Sequence, residues 1–591
     1  MGKPLWVSAS AGRADGYKWI VLSNTTIGML LATINSSILL ISLPDIFRGI
    51  HVNPLAPGNT NYLLWMILSF LVVTAVLVVS LGRLGDMYGR VRTYNLGFAV
   101  FTAFSILLTL TPFTGGAGAL WLIGMRVGQG VGGAMLFANS SAIITDAFPE
   151  DQRGLALGIN GVAAIAGSFL GLIIGGLLGP VDWRLVFLVS VPFGVFGTFW
   201  AYLKLIEGPR QGSDAKIDWL GNILFAVGLV AVMVGITYGI QPYGHHTMSW
   251  GSPKVLGELI GGIAVLLVFC VVETRVAQPM FRLDLFRIRA FAAGNLATLL
   301  SAIGRGGLQF VLIIWLQGIW LPQHGYAFSE TPLWAGIYML PLIAGFLIAG
   351  PVSGFLSDRY GARPFATGGM VLAAVSFILL EQLPVDFSYV WFALLLLLNG
   401  VGMGLFASPN RAGVMNSLPP RQRGAGAGMN ATFQNSAMVL SIGIFFSLLI
   451  VGMAHGLPGA LEHGLTAHGV PRPRAIRIAH LPPVASLFAA FLGYNPAAQL
   501  LGPKLLHHLH PSQAAALTGR SFFPHLLSGP FAGALSEAFT FAFVACLVAA
   551  VASLLRGGKY HYSEEAADAP ALAPAEPASR PARLSAEEAR G

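Results

Sequence analysis

The chain has 591 residues, of which 55% are hydrophobic and only 10% charged, with a formal net charge of +9. Soluble domains carry about a quarter charged residues, so this composition excludes a soluble globular protein. Runs of roughly 20 apolar residues recur, the length an α-helix needs to cross a bilayer. The strands of a membrane barrel are shorter and alternate in polarity, which these runs do not. The chain is therefore expected to be an all-α protein embedded in the lipid bilayer.

Fourteen spans are expected, at 20–44, 62–82, 93–112, 118–141, 155–179, 184–205, 218–240, 254–273, 291–319, 334–356, 365–383, 388–409, 425–452 and 533–556. Residues 1–19 precede them, polar up to Lys18, and no cleavable signal is expected there. Even parity puts both chain ends on one side. With that side inside, the short inner loops hold sixteen Lys and Arg, and the short outer loops only Arg48, Arg184 and Lys254. This positive-inside bias makes both termini cytoplasmic. It also explains the net charge as topology, and no nucleic-acid partner is expected.

Span 1 carries Asn35, Ser36 and Ser37. Span 2 runs into Gly82-Arg83-Leu84-Gly85-Asp86-Met87-Tyr88-Gly89-Arg90, and span 10 into Gly354-Phe355-Leu356-Ser357-Asp358-Arg359-Tyr360-Gly361. Both read Gly-x-Leu-x-Asp-x-Tyr-Gly, so the chain is internally duplicated, as in many secondary transporters. With six helices per half the second copy would follow span 8. It follows span 10, so spans 7 and 8 are read as an insert and the layout as 6+2+6. The expected divisions are a cytoplasmic N-terminus (1–19), a first bundle (20–206), the insert with its loops (207–290), a second bundle (291–556) and a disordered tail (557–591). Within the second bundle, residues 453–532 form a long outer loop, expected to be a small ordered cap.

Charges inside a membrane are costly and usually functional. Arg126 in span 4 and Arg305 in span 9 are the basic residues deep within spans, and no Asp or Glu lies near a span centre. Asn35, Gln129, Gln309, Asn430 and Gln434 are expected to line a polar pathway with them. At the inner loops, Asp86 can meet a helix N-terminus, and Arg90 can reach an acid on a neighbouring helix, with Asp146 the nearest candidate. Arg421 or Arg423 could pair with Asp86 across the halves. In span 5, Gly167, Gly171 and Gly175 recur every four residues, with Gly176 beside them, a spacing that lets helices approach closely. Cys270 and Cys546 lie in apolar spans with no disulfide or zinc spacing. The outer loop holds eight of the thirteen histidines, including His507, His508 and His510. Solvated loop histidines are the commoner case, and neither metal nor cofactor is expected.

These motifs resemble the major facilitator superfamily, and within it the fourteen-span drug:proton antiporters (EmrB/QacA type). Asp86 and Asp358 fall on the acidic position of the superfamily's loop signature, and Arg90 on its basic one. Arg126-Val127-Gly128-Gln129-Gly130 resembles the Arg-x-x-Gln-Gly element. Gly167 to Gly176 resembles the antiporter motif, which in the family marks the interface between halves, with Leu172 where proline stands in the family. Asn35 replaces the family's first-span carboxylate. The resemblance implies a monomeric plasma-membrane exporter of small amphipathic molecules, driven by protons through alternating access. The absence of a membrane carboxylate points to neutral or anionic substrates. The alternative is a lipid or cell-envelope metabolite transporter of the same fold, weakly coupled to protons or uncoupled. No nucleotide loop, His-Glu-x-x-His run or paired intramembrane carboxylates suggest an enzyme.

Overall fold

The computed structural model describes residues 11–53, 56, 58–207, 218–239, 248–279, 281–419, 422–493, 495 and 497–557. The expected tail, the tip of the N-terminus and part of the loop before span 7 lie outside them. Among the described residues there is no strand. Fourteen helices are long and apolar enough to cross a membrane: Gly16–Gly49, Asn61–Tyr88, Arg90–Thr109, Gly115–Ala147, Ala156–Leu178, Leu185–Lys204, Trp219–Gly239, Pro253–Glu273, Arg289–Gln323, Thr331–Ser357, Ala362–Glu381, Tyr389–Asn416, Gly426–Ala467 and Phe522–Leu554. They are spans 1 to 14. Alternation places the start of span 1 and the end of span 14 at one end of the bundle, here the terminal end. The opposite end is the distal end.

The duplicated motif is a duplicated turn. Span 2 is followed by Gly89 at φ 116, and the span 10 helix by Gly361 at φ 89. Only glycine reaches this backbone region cheaply. In each copy the glycine N–H still bonds the carbonyl four residues back, Gly85 or Ser357. The chain then starts the next span at once, at Arg90 or Ala362.

Spans 1 to 6 pack on one another, with span 1 laid along span 5 and span 4 between spans 2 and 3. Spans 9 to 14 form the second group, in which span 12 lies between spans 10 and 11, and span 14 against 9, 11 and 13. Spans 7 and 8 pack on each other, and span 7 leans on span 2 of the first group and on span 13 of the second. This is the six, two and six arrangement. The halves meet where span 5 touches the start of span 10 and where span 2 touches span 13.

Spans 13 and 14 extend furthest beyond their expected bounds. Span 13 continues past residue 452 to Ala467, and span 14 begins at Phe522 rather than 533. At about 1.5 Å per residue, 42 residues reach roughly 63 Å, twice a hydrocarbon core, so the pair projects as a stalk at the distal end. Small residues join it: Gly452 packs on Ala534 and Gly456 on Pro530. Between the stalk helices lie four short ones, Arg472–Ala479, Pro483–Phe491, Ala497–His508 and Pro511–Thr518. The second is buried at every residue and packs against spans 2, 9, 13 and 14. The outer loop is thus a helical cap with one apolar helix driven into the distal mouth.

Span 9 ends in a π-helical turn, Trp315–Trp320, buried throughout. Such turns concentrate at functional sites. Gly318 there lets the cap helix approach, since a Cβ would stand 3.2 Å from Phe491 Cα. Span 10 breaks at Met339, just before Pro341, whose missing N–H cannot continue the ladder.

Candidate translocation pathway and gate

The polar centre of the first half is built around Arg126, which is 1% exposed. Its Nη1 donates to Asn35 Oδ1 of span 1 and to Gln129 Oε1 at 3.1 Å. Gln129 Nε2 donates in turn to Ser105 Oγ of span 3 at 2.9 Å. The guanidinium lies 4.8 Å from the centre of the Phe70 ring. Its Nε has no partner. Amide dipoles and an aromatic face therefore replace a counter-ion, and the positive charge is left uncompensated by any acid among the described residues. Burying an unpaired charge is expensive, which makes a purely space-filling role a poor explanation for it. Asn35, at the position where the family resemblance places a carboxylate, supplies an acceptor without a charge.

The second half has its own polar cluster. Asn430 Nδ2 donates to Asn295 Oδ1 at 2.9 Å and to Thr298 Oγ1 at 3.2 Å, and Asn410 Nδ2 donates to Thr298 Oγ1 at 2.8 Å. Arg556, just past span 14, is buried and donates to Asn410 Oδ1. Burial lowers its pKa to about 10. Arg305, Gln309 and Gln434 are half-buried, and no hydrogen bond among the described residues joins them. Arg305 stands 5.9 Å from the Phe346 ring centre.

Three residues escaped the sequence reading. Arg411, assigned there to an inner loop, belongs to the span 12 helix. Its Nη1 is 3.8 Å from where a Cβ of Gly161 would be, so it reaches span 5 of the other half. Gln317, in the π-helical turn, donates from Nε2 to the Ile41 carbonyl of span 1 at 3.3 Å, tying the halves distally. Asp45, placed just beyond span 1 by hydropathy, lies inside that helix. It is buried, with Arg48 Nη2 at 2.6 Å. No local pattern distinguishes these three from ordinary span-end residues.

At the terminal end, Arg90 bridges two acids. Its Nε donates to Asp86 Oδ1 at 2.7 Å, and its Nη1 to both oxygens of Asp146 at 2.7 Å. Glu207, after span 6, accepts from the Val91 and Arg92 backbone N–H groups at 3.2 and 3.0 Å, an anion on the helix N-terminus. It is Glu207, and not Asp86, that accepts from the opening N–H groups of span 3. Gly89 is doubly required, because a Cβ would come within 2.6 Å of Glu207 Oε2. Gly82 faces Ala138 at 3.4 Å, and a Cβ on Gly354 would meet Ser408 Oγ at 2.7 Å. All these first-copy contacts lie within one half. The side chains of Asp358 and Arg423, and all of Arg421, lie outside the described residues, and with them the cross-half pairing.

The span 5 glycines require a correction. Gly167, Gly171 and Gly175 pack on Leu30, Ile34 and Ile38 of span 1, inside the first half rather than between halves. Gly176, one residue on, is turned about 100° round the helix and faces the other half. A Cβ there would lie 2.5 Å from Leu333 Cα. Leu172 shares this contact, facing Gly336 at 3.4 Å.

Among the described residues no group of three or more His, Cys, Asp or Glu is placed to hold a metal. The cap histidines serve the helices instead: His508 Nδ1 contacts the Lys504 carbonyl at 2.6 Å, and His510 caps the helix that follows it.

Twelve apolar helices in two groups around buried polar clusters, with two more inserted between, are the architecture of a multi-pass membrane transporter rather than an enzyme. The sequence profile of the Major Facilitator Superfamily matches residues 25–442, and the chain belongs to that superfamily. Riboflavin transporter RibZ of Clostridioides difficile (strain 630) is 27% identical, over 74% of this chain and 90% of that protein. Cephamycin export protein CmcT of Amycolatopsis lactamdurans is 30% identical, over 68% and 79%. Multidrug resistance protein 3 of Bacillus subtilis (strain 168) is 27% identical, over 72% and 78%. Among solved structures, a bacterial homolog of the human lysosomal transporter Spinster, inward-facing and unoccupied, aligns with a TM-score of 0.56 at 17% identity, covering 93% of this chain and 99% of that one. That likeness concerns the fold.

Proposed function

We propose that the protein is a proton-coupled exporter of small amphipathic molecules in a bacterial plasma membrane, acting as a monomer by alternating access. Both termini and the duplicated motifs then face the cytoplasm, and the terminal end is the cytoplasmic end. Residues 20–206 and 291–556 are the moving halves, 207–290 the insert, and 1–19 and 557–591 cytoplasmic extensions. The carrying observation is Arg126, buried at the centre of the first half with amide partners and no acid. A buried cation without a counter-ion favours neutral or anionic substrates over permanent cations. The names of relatives that export cephamycin or transport riboflavin support the same class. Asp86, Arg90 and Asp146 hold the loop between spans 2 and 3 against span 4, so the gate moves as one piece. Asn35, Gln129, Arg305, Gln309, Asn430 and Gln434 line the pathway, and Gly176 closes it distally.

The buried apolar helix at the distal mouth favours a second reading, a lipid or cell-envelope metabolite transporter. Efflux assays in an exporter-deficient strain separate the two. Riboflavin, a β-lactam and ethidium are the probes, tested with and without a protonophore, for wild type, Asp86→Asn and Arg126→Ala. Efflux of a neutral or anionic probe that needs both residues and collapses with the proton gradient is expected. High-affinity efflux of ethidium would sink the charge argument, and no efflux from well-expressed protein would favour the second reading.

A further inference from the structure

The structure buries two acids where the insert begins and ends. Asp218 precedes span 7 and Glu273 closes span 8, and they are 8% and 3% exposed. Each spends one oxygen on the backbone. Asp218 Oδ1 accepts from the Gly221 N–H at 2.8 Å, and Glu273 Oε2 from the Phe281 N–H at 2.9 Å. The other two oxygens, Asp218 Oδ2 and Glu273 Oε1, have no hydrogen-bond donor. Both turn into the space that Gly221 leaves open, where a Cβ would collide with the two at once. Two carboxylates converging in a buried place cannot both stay ionised, and one shared proton removes the repulsion.

The pair is tied to span 2 on both sides. Ser80 Oγ donates to Asn222 Oδ1, and Asn222 Nδ2 donates to the Asp218 carbonyl at 2.7 Å. One turn along, Arg83 Nη1 donates to the Pro279 carbonyl at 2.8 Å, in the connector that Glu273 begins. The Arg83 guanidinium lies within electrostatic reach of Glu273. Cys270 faces it from the same helix, and Arg282 in the connector is paired with Asp284. The described titratable groups of span 13, His455, Glu462 and His463, are at the distal end, and Lys216 lies outside the described residues.

We infer that Asp218 and Glu273 form a shared-proton site whose occupancy sets the grip of the insert on span 2, an inference that rests on the proton-driven reading above. On loading, a hydronium ion gives its proton to Glu273 Oε1, water leaves, and the new O–H donates to Asp218 Oδ2. On unloading, the proton returns to water. The two carboxylates then repel each other and draw the Arg83 guanidinium from the Pro279 carbonyl. Span 2 carries the gate motif and touches span 13 of the other half, so proton loss at the insert and movement of the gate become one event.

The test uses the purified full-length protein in phospholipid vesicles. Infrared difference spectra between acidic and alkaline baths read protonated carboxyl groups directly. Wild type should show a carboxylic C=O band that Asp218→Asn and Glu273→Gln each remove, because one proton needs both oxygens. The same vesicles, given an imposed pH gradient and riboflavin or ethidium as probe, should show a transport–pH profile that either variant flattens by tenfold or more. Variants that keep the whole band would overturn the site, and a lost band with an unchanged profile would overturn the link to span 2. Wild-type vesicles that show the band but move neither probe would remove the exporter reading and leave the site standing.

Discussion

Gly176→Ala should push the protein toward a state open at its distal end. A Cβ at Gly176 would lie 2.5 Å from Leu333 Cα, 2.6 Å from Leu333 N and 2.8 Å from Pro332 C. These are backbone atoms at the start of span 10 and cannot swing aside as a side chain could. Ordinary contact begins near 3.4 Å, so spans 5 and 10 must part by about 1 Å, and overpacking of this kind costs about 1–3 kcal/mol. In the alternating-access reading the cost falls on the distally closed state alone, since the contact joins the halves. It therefore shifts the ratio of closed to open states by roughly 5–150-fold. Gly171→Ala is the control: its Cβ would meet the Ile34 carbonyl at 2.5 Å, inside the first half, and should lower thermal stability without moving the ratio. Spin labels at Leu177→Cys and Glu330→Cys, in a background lacking Cys270 and Cys546, would report the distal separation. Identical distance distributions in wild type and Gly176→Ala would refute the assignment of this contact as the distal closure.

Three further outcomes follow from the same geometry. Arg126→Ala should abolish export while changing Tm little, because the bonds lost to Asn35 and Gln129 offset the relief of a buried charge without a counter-ion. Arg126→Lys should not restore export, because an ammonium cannot reproduce the guanidinium fork; recovery in efflux assays would show that charge alone suffices. Arg90→Ala breaks two bridges to acids 39% and 46% exposed, and since solvent screens such pairs the loss should be no more than about 1 kcal/mol each. Its signature is slower export with near-normal melting, and a large drop in Tm would argue for a structural role instead. Phe488, fully buried in the cap and stacked 5.0 Å from Phe446, should cost about 3–5 kcal/mol when cut to alanine, read by thermal unfolding. A null result there would mean that the cap helix leaves its seat easily.

The duplicated turn was legible in sequence because its requirements are local. Gly89 and Gly361 must adopt positive φ, and the partners of Arg90 include Asp86 one turn away. Asp146 could be named because it closes a neighbouring span, whereas Glu207 could not, since only the packing of spans 3 and 6 brings it to the Val91 and Arg92 N–H groups. The span 5 stripe was visible as a pattern of four, but which face met which neighbour was not. A one-residue step from Gly175 to Gly176 exchanges a partner in the same half for one in the other.

Composition, periodicity and the repeated turn thus determined an α-helical membrane protein of fourteen spans with duplicated halves, because membrane insertion depends on runs of about 20 apolar residues and needs no knowledge of neighbours. Tertiary structure alone decided that Asn35 and Gln129 hold Arg126, that Pro483–Phe491 folds into the distal mouth, and that Asp218 and Glu273, separated by two whole spans, turn their free oxygens toward each other. These are contacts between segments distant in the chain. Hydropathy records how apolar a segment is and not which side of its helix finds a partner, so such pairings emerge only when the helices pack.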